Sequence, residues 1–161
     1  MPFYQVFHSV DLSSSQKDTL ARIITDAHTA ATGALKLFVN VEFYHNTNPF
    51  QYIGGLRRPN NKLIGWVRPR GEVGEHLMKE VAKEIQEGWD NTVGSVGEKE
   101  LSALWINDTM LTGVEFGVIL PRAFEDQAWF EEHKAEFEDR ARKGDKLFSE
   151  AIQGNIIDRS S

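Results

Sequence analysis

An offset of 61 residues lays the first part of this 161-residue chain onto its middle. Leu20 falls on Val81, Ala21 on Ala82, Arg22 on Lys83, Ile24 on Ile85 and Gly33 on Gly94. Such a repeat is a supersecondary unit that cannot cover its own apolar face and needs its copy to do so. The element pattern agrees. Phe3 to Val10 is apolar, aromatic and β-branched and reads as a strand. Ser13 with Gln16 three residues on has the form of a capping box, and Leu20, Ile23, Ile24, Ala27 and Ala31 follow at helical spacing. Gly33 is placed to end that helix in a left-handed conformation. Leu37 to Tyr44 reads as a second strand, and the intervening helix predicts a parallel, right-handed crossover.

After a linker rich in Asn, Pro and Gly (residues 45–61), the order returns. Lys62 to Arg68 reads as a strand, Val73, Leu77, Met78, Val81, Ile85 and Trp89 share one side of a helix, and Leu101 to Ile106 reads as a fourth strand. The expected fold is α/β (α+β): two β-α-β units, at about 2–46 and 62–107, form a four-stranded mixed sheet with two helices on one face. They make one domain over residues 1–123. Phe116 to Leu120 is a short apolar piece closed by Pro121. From about Gln127 a helical pattern places Trp129, Phe130, His133 and Phe137 on one face, so residues 124–161 are expected as a C-terminal helical extension with its last ten residues frayed.

Composition excludes several classes. The chain has 24 acidic and 18 basic side chains, a net charge of −6, where a general nucleic-acid binder carries a basic excess. Most of that acidity lies in the tail: residues 124–161 hold 6 basic and 10 acidic groups, against 12 and 14 in residues 1–123. There are no cysteines, which removes disulfides, thiolate metal sites and cysteine nucleophiles. No apolar run reaches a membrane span, and the N-terminus lacks the basic and apolar regions of a signal peptide. A cytoplasmic protein with no nucleic-acid or membrane partner is expected.

No phosphate-binding, dinucleotide, serine-hydrolase or zinc-protease motif is present. His8, His28, His45, His76 and His133 include no pair at helical metal spacing, so no metal or cofactor is expected. The informative residue is Pro2. Initiator Met is normally removed before proline, which leaves a secondary amine at the start of a strand. An α-amino group titrates near 7.7–8.0 in reference peptides, burial lowers that value and a nearby carboxylate raises it. Such a nitrogen can serve as a general base or acid near neutral pH. Proline at a strand start is also tolerated for purely structural reasons.

Met-Pro heading a doubled β-α-β unit resembles the tautomerase superfamily, and in detail its cis-3-chloroacrylic acid dehalogenase-like group. The stretches that carry the resemblance are Pro2-Phe3-Tyr4-Gln5-Val6-Phe7, Ile24-Thr25-Asp26-Ala27-His28, Gly54-Gly55, Arg70 ahead of the second helix, Val114-Glu115-Phe116-Gly117 leading to Leu120-Pro121, and Trp129-Phe130. Together they span roughly residues 2–137. The resemblance implies a homotrimer, a small anionic carboxylate substrate and a cofactor-independent site around the amino end. Pro2 matches the catalytic proline, His28 a substrate-binding histidine, Arg70 one of two carboxylate-binding arginines, and Glu115 the glutamate that activates water.

Two positions depart. The second arginine falls on Val73, and the tyrosine that partners the glutamate falls on Leu104. Losing one charged hydrogen bond costs on the order of 1.5–3 kcal/mol, which weakens a two-arginine grip. Losing a water-positioning hydroxyl slows hydration more than enolisation. The expectation is therefore a tautomerase or isomerase acting on small 2-oxo or enol acids, ahead of a cis-3-haloacrylate dehalogenase or hydratase, with a non-catalytic trimeric binding protein as the reading from another class. Arg68 would share a face with Arg70 in an extended segment and is a candidate to replace the missing arginine; a solvated strand end is its alternative. Arg57 and Arg58 could also reach a site from the linker. Apart from the resemblance, His28 could be a cation at a helix C-terminus, Glu115 a surface carboxylate, and Trp66 and Trp105 core or interface residues.

Overall fold

The computed structural model describes residues 2–157, with side chains to residue 154; Met1 and the final four residues lie outside the described part. The repeat appears as two runs of matching elements. The first is β1 (Phe3–His8), α1 (Ser14–Thr32) and β2 (Asn40–His45). Between the runs a short hairpin, β3 (Tyr52–Ile53) and β4 (Leu56–Arg57), turns at Gly54-Gly55. Both of those glycines have positive φ, which suits the tight turn. The second run is β5 (Asn61–Trp66), α2 (Gly74–Thr92) and β6 (Leu101–Asn107).

The four long strands form one sheet in the order β2-β1-β5-β6. β1 and β2 are parallel, as are β5 and β6, while β1 and β5 run antiparallel at the centre with Phe3 opposite Trp66 and Val6 opposite Leu63. The sheet is therefore mixed, and its two halves are related by an approximate two-fold rotation about the β1–β5 seam.

Local chemistry explains the helix limits. Ser13 Oγ accepts from the Gln16 N–H at 3.2 Å and Gln16 Oε1 accepts from the Ser13 N–H at 3.0 Å, which completes the capping box. Gly33 closes α1 with φ 69° and donates its N–H to the Thr29 carbonyl at 2.9 Å. Period-2 alternation sets the faces of β1: Tyr4, Val6 and His8 are buried, and Phe3, Gln5 and Phe7 half-buried. The buried face meets α1 and α2 in a core of Tyr4, Val6, Leu20, Ile24, Ala27, Leu63, Val81, Ile85 and Trp89.

The second expected strand begins later than its apolar composition suggests. Lys36–Phe38 forms a 3-10 turn, because Leu37 and Phe38 are drawn into a different core. That core joins Leu35, Leu37 and Phe38 to Leu120, Trp129, Phe130, Phe137 and Phe148. It is built by two C-terminal helices, α3 (Asp126–Arg142) and α4 (Lys146–Ile157), which pack on each other across a turn at Gly144. Of the last ten residues, 152–157 belong to α4 and the final four lie outside the described part. The apolar piece at 116–120 becomes one arm of a hairpin, β7 (Val114–Glu115) and β8 (Val118–Ile119).

Trp66 and Trp105 are not core residues of the chain: they lie on the open sheet face, 36 % and 53 % exposed. No helix among the described residues is long and apolar enough to cross a membrane.

Candidate active site

Three elements and two loops converge at the amino end of β1. The Pro2 carbonyl accepts from the Asn40 N–H of β2 at 3.0 Å. The Asn40 side-chain amide donates to Glu115 Oε1 at 3.0 Å and to the Phe38 carbonyl at 3.2 Å. One residue of β2 therefore ties the start of β1 to the β7–β8 hairpin. Glu115 Oε2 is buried without a hydrogen-bond partner among the described residues. Burial pushes the Glu115 carboxyl up from its ordinary value, and the positive N-terminus, the Asn40 hydrogen bond and Arg68 pull the other way.

A second group lies on the helix side of the sheet. Tyr4, two residues after Pro2, is fully buried and its hydroxyl meets His28 Nδ1 at 2.8 Å. His28 Nε2 meets Arg70 Nη2 at 3.4 Å, and Arg70 Nη1 donates to the Arg68 carbonyl at 3.0 Å. Arginine carries only donors, so Nε2 must accept. The ring proton then sits on Nδ1, and the Tyr4 oxygen accepts it. Burial holds the His28 imidazole at about 3, with the Arg70 charge as the next cause, so the ring is neutral at physiological pH. A cationic helix-end histidine is excluded: His28 is 0 % exposed and lies inside α1. Its available lone pair faces Arg70, so it orients that guanidinium.

Gly65 permits this packing. A Cβ at that position would stand 2.6 Å from Tyr4 Cε1, so any larger residue would push the ring off His28.

The expectation for Arg68 needs correction. It does not end a strand in solvent, and its Nη groups are engaged within the chain. At 5 % exposure, its Nη2 donates to both Asp126 oxygens at 2.8 and 3.0 Å, and its Nη1 to the carbonyls of Pro121 and Arg122 at 2.6 and 3.0 Å. Both Nη groups are consumed, and the remaining Nε–H is buried without an acceptor. The reason is α3, which brings Asp126 over the end of the third long strand. Arg70 is 6 % exposed and differs: it uses two of its five donors, and burial followed by the Arg68 charge lowers its pKa. Arg57 and Arg58 stay in the linker, with Arg58 paired to Glu100 at 2.7 Å.

Tyr4, Asn40 and Asp126 are participants that sequence reasoning missed. Only Tyr4 had a signal, since it shares a strand face with Pro2. Among the described residues no group of three or more His, Asp or Glu side chains is placed to hold a metal ion.

His28 gives a pH prediction. Its pKa is depressed on folding, so the unfolded chain binds the extra proton between about 3 and the ordinary value of 6.5. Its contribution to stability is complete above about pH 6.5 and is lost as pH falls towards 3. Glu115, whose pKa is raised, acts oppositely, favouring the folded state as pH falls through the region just above its ordinary value. Urea midpoints measured from pH 7 to 4 are expected to fall with acid in the wild type and to fall less in His28→Gln. Equal slopes would mean that His28 is not the titrating group.

The mixed sheet of two β-α-β units, joined antiparallel through β1 and β5, is the architecture of the tautomerase superfamily. A family model described as "Putative oxalocrotonate tautomerase enzyme" matches residues 1–134, and the chain belongs to that family. No curated protein matches the sequence. Among solved structures, N1, a member of the cis-3-chloroacrylic acid dehalogenase family, is similar with a TM-score of 0.64 at 15 % identity, over 84 % of this chain and 98 % of that one. A fused 4-OT asymmetric trimer gives 0.57 at 15 % identity, over 79 % and 98 %. The macrophage migration inhibitory factor of Toxoplasma gondii gives 0.55 at 16 % identity, over 73 % and 98 %. These likenesses show a shared fold.

Proposed function

We propose that the chain is a cofactor-independent tautomerase that moves a proton on small 2-oxo or enol carboxylic acids, with the Pro2 nitrogen as the transferring group. The observation that carries this reading is the double link at the amino end of β1. Pro2 is tied through Asn40 to Glu115, while Tyr4, one face-step along the same strand, leads through His28 to Arg70.

With Met1 removed, the Pro2 secondary amine accepts the enol O–H proton or, once protonated, delivers a proton to C3 of the enol as the carbonyl forms. Arg70 holds the substrate carboxylate, and the neutral His28 fixes the guanidinium in place. Glu115, kept beside the amine by Asn40, stabilises the protonated form. Hydrolytic dehalogenation is disfavoured on two observations. Leu104, at the place expected for a water-positioning hydroxyl, packs on the first core. Val73, at the place of the second arginine, is 52 % exposed and carries no charge.

A cytoplasmic homotrimer belongs to the same proposal. Support for self-association comes from the aromatic open sheet face, where Phe7 stacks on Tyr44 at 5.0 Å beside exposed Trp66 and Trp105, and from the trimeric relative.

The test is the intact mass together with a nitrogen-15 titration of labelled Pro2. Loss of Met1 and an amine that titrates within about two units of neutrality are expected, from the reference range of the group. A retained Met1 would remove the free amine and reject the proline mechanism.

A further inference from the structure

Arg68 and Asp126 do more than pair. The ion pair and the two carbonyl bonds from Arg68 fix residues 121–126, the loop that carries Arg122. Within that loop Phe124 adopts φ 71°, a left-handed conformation that a bulky residue holds only under constraint. The constrained loop closes one side of a cavity of about 400 Å³. Arg68, Arg70 and Arg122 line it together with the apolar Pro69, Leu111 and Phe124.

The charges on this cavity do not cancel. Arg68 is matched by Asp126. Arg70 has three donors beyond the two that it commits to the Arg68 carbonyl and His28. Arg122 is exposed, and its guanidinium makes no ion pair among the described residues. Glu115 accepts from Asn40 and is not among the residues that line the cavity. Arg70 and Arg122, from separate loops, therefore line one space that has no carboxylate among its lining residues, and buried Nε–H groups of Arg68 and Arg70 lack acceptors as well. A carboxylate offers about four lone-pair sites and is matched by two such forks.

We propose that Arg122 is a second substrate-binding arginine: with Arg70 it closes a site for the carboxylate of a small acid whose apolar body lies against Leu111 and Phe124. This rests on the reading of the site given above. It restores, from the loop ahead of α3, the charge missing at Val73, and it gives the buried Arg68–Asp126 pair a task in placing that charge.

The experiment titrates the full chain calorimetrically with 3-phenylpropionate, which has the carboxylate and an apolar body but no 2-oxo group to enolise. Phenylenolpyruvate ketonisation is followed in parallel. Wild-type protein is expected to bind. Arg122→Ala should raise the dissociation constant roughly 10-fold or more, as loss of one charged hydrogen bond implies, and Arg122→Lys should recover part of it. Binding by Arg122→Ala within about twofold of wild type, or no wild-type binding at about 10 mM, a scale near 3 kcal/mol of affinity, overturns the proposal. Arg122-dependent binding in a protein inert to phenylenolpyruvate upholds it and rejects the enzymatic reading. Turnover with an unchanged KM in Arg122→Ala rejects it and leaves the enzymatic reading standing.

Discussion

Pro2→Ala should lower kcat for ketonisation of phenylenolpyruvate by roughly 100-fold or more, the range that a positioned acid or base contributes. Alanine keeps a terminal amine, so the comparison isolates what the ring supplies. The pyrrolidine ring ties the nitrogen to its own side chain and makes it a secondary amine with one aimed lone pair. A primary amine rotates freely and titrates elsewhere. KM should change much less, because the proposed mechanism assigns substrate binding to Arg70 rather than to Pro2. Full activity in Pro2→Ala would reject the mechanism, and a rise in KM alone would reassign Pro2 to binding.

The largest expected effect on stability belongs to Asp126→Ala. Arg68 and Asp126 are both nearly inaccessible, with side chains 5 % and 3 % exposed. Removing the carboxylate strands a buried guanidinium, a change that typically costs about 3–5 kcal/mol, or a fall in Tm of roughly 10 °C for a chain of this size. The double substitution Arg68→Met with Asp126→Leu should lose far less, because replacing both charges with apolar groups removes the desolvation cost as well as the attraction. A single variant with a wild-type midpoint would show that the pair is not buried in solution. Arg70 should also respond in Asp126→Ala, since it donates to the carbonyl of the residue that Asp126 holds.

Both variants depend on features of unequal legibility. The doubled unit was readable because periodicity and caps are local: Ser13, Gln16 and Gly33 state where α1 starts and stops without tertiary help. Pro2, His28, Arg70 and Glu115 could be singled out through motif resemblance. Their partners could not, because Asn40 and Tyr4 act through cross-strand register and helix–sheet packing, which no spacing along the chain encodes. Arg68 failed for a definite reason. Counting faces along an extended segment put it beside Arg70, but its environment is set by Asp126, 58 positions further along. The same long-range packing turned Leu37 and Phe38 from strand residues into a 3-10 turn, since α3 and α4 offered them a second core.

A chain has one amino end, and that asymmetry divides the two halves. At the offset of 61 residues, Pro2 falls on Leu63 and His28 on Trp89. Both of those are buried, Leu63 in the sheet and Trp89 with its Nε1 donating to the Lys99 carbonyl at 2.8 Å. An internal peptide nitrogen cannot be a base, so the chemistry proposed for Pro2 has no counterpart in the second copy. A doubled unit thus carries one terminal amine where two separate units would carry two. At those two positions the second copy places side chains that serve the interior alone.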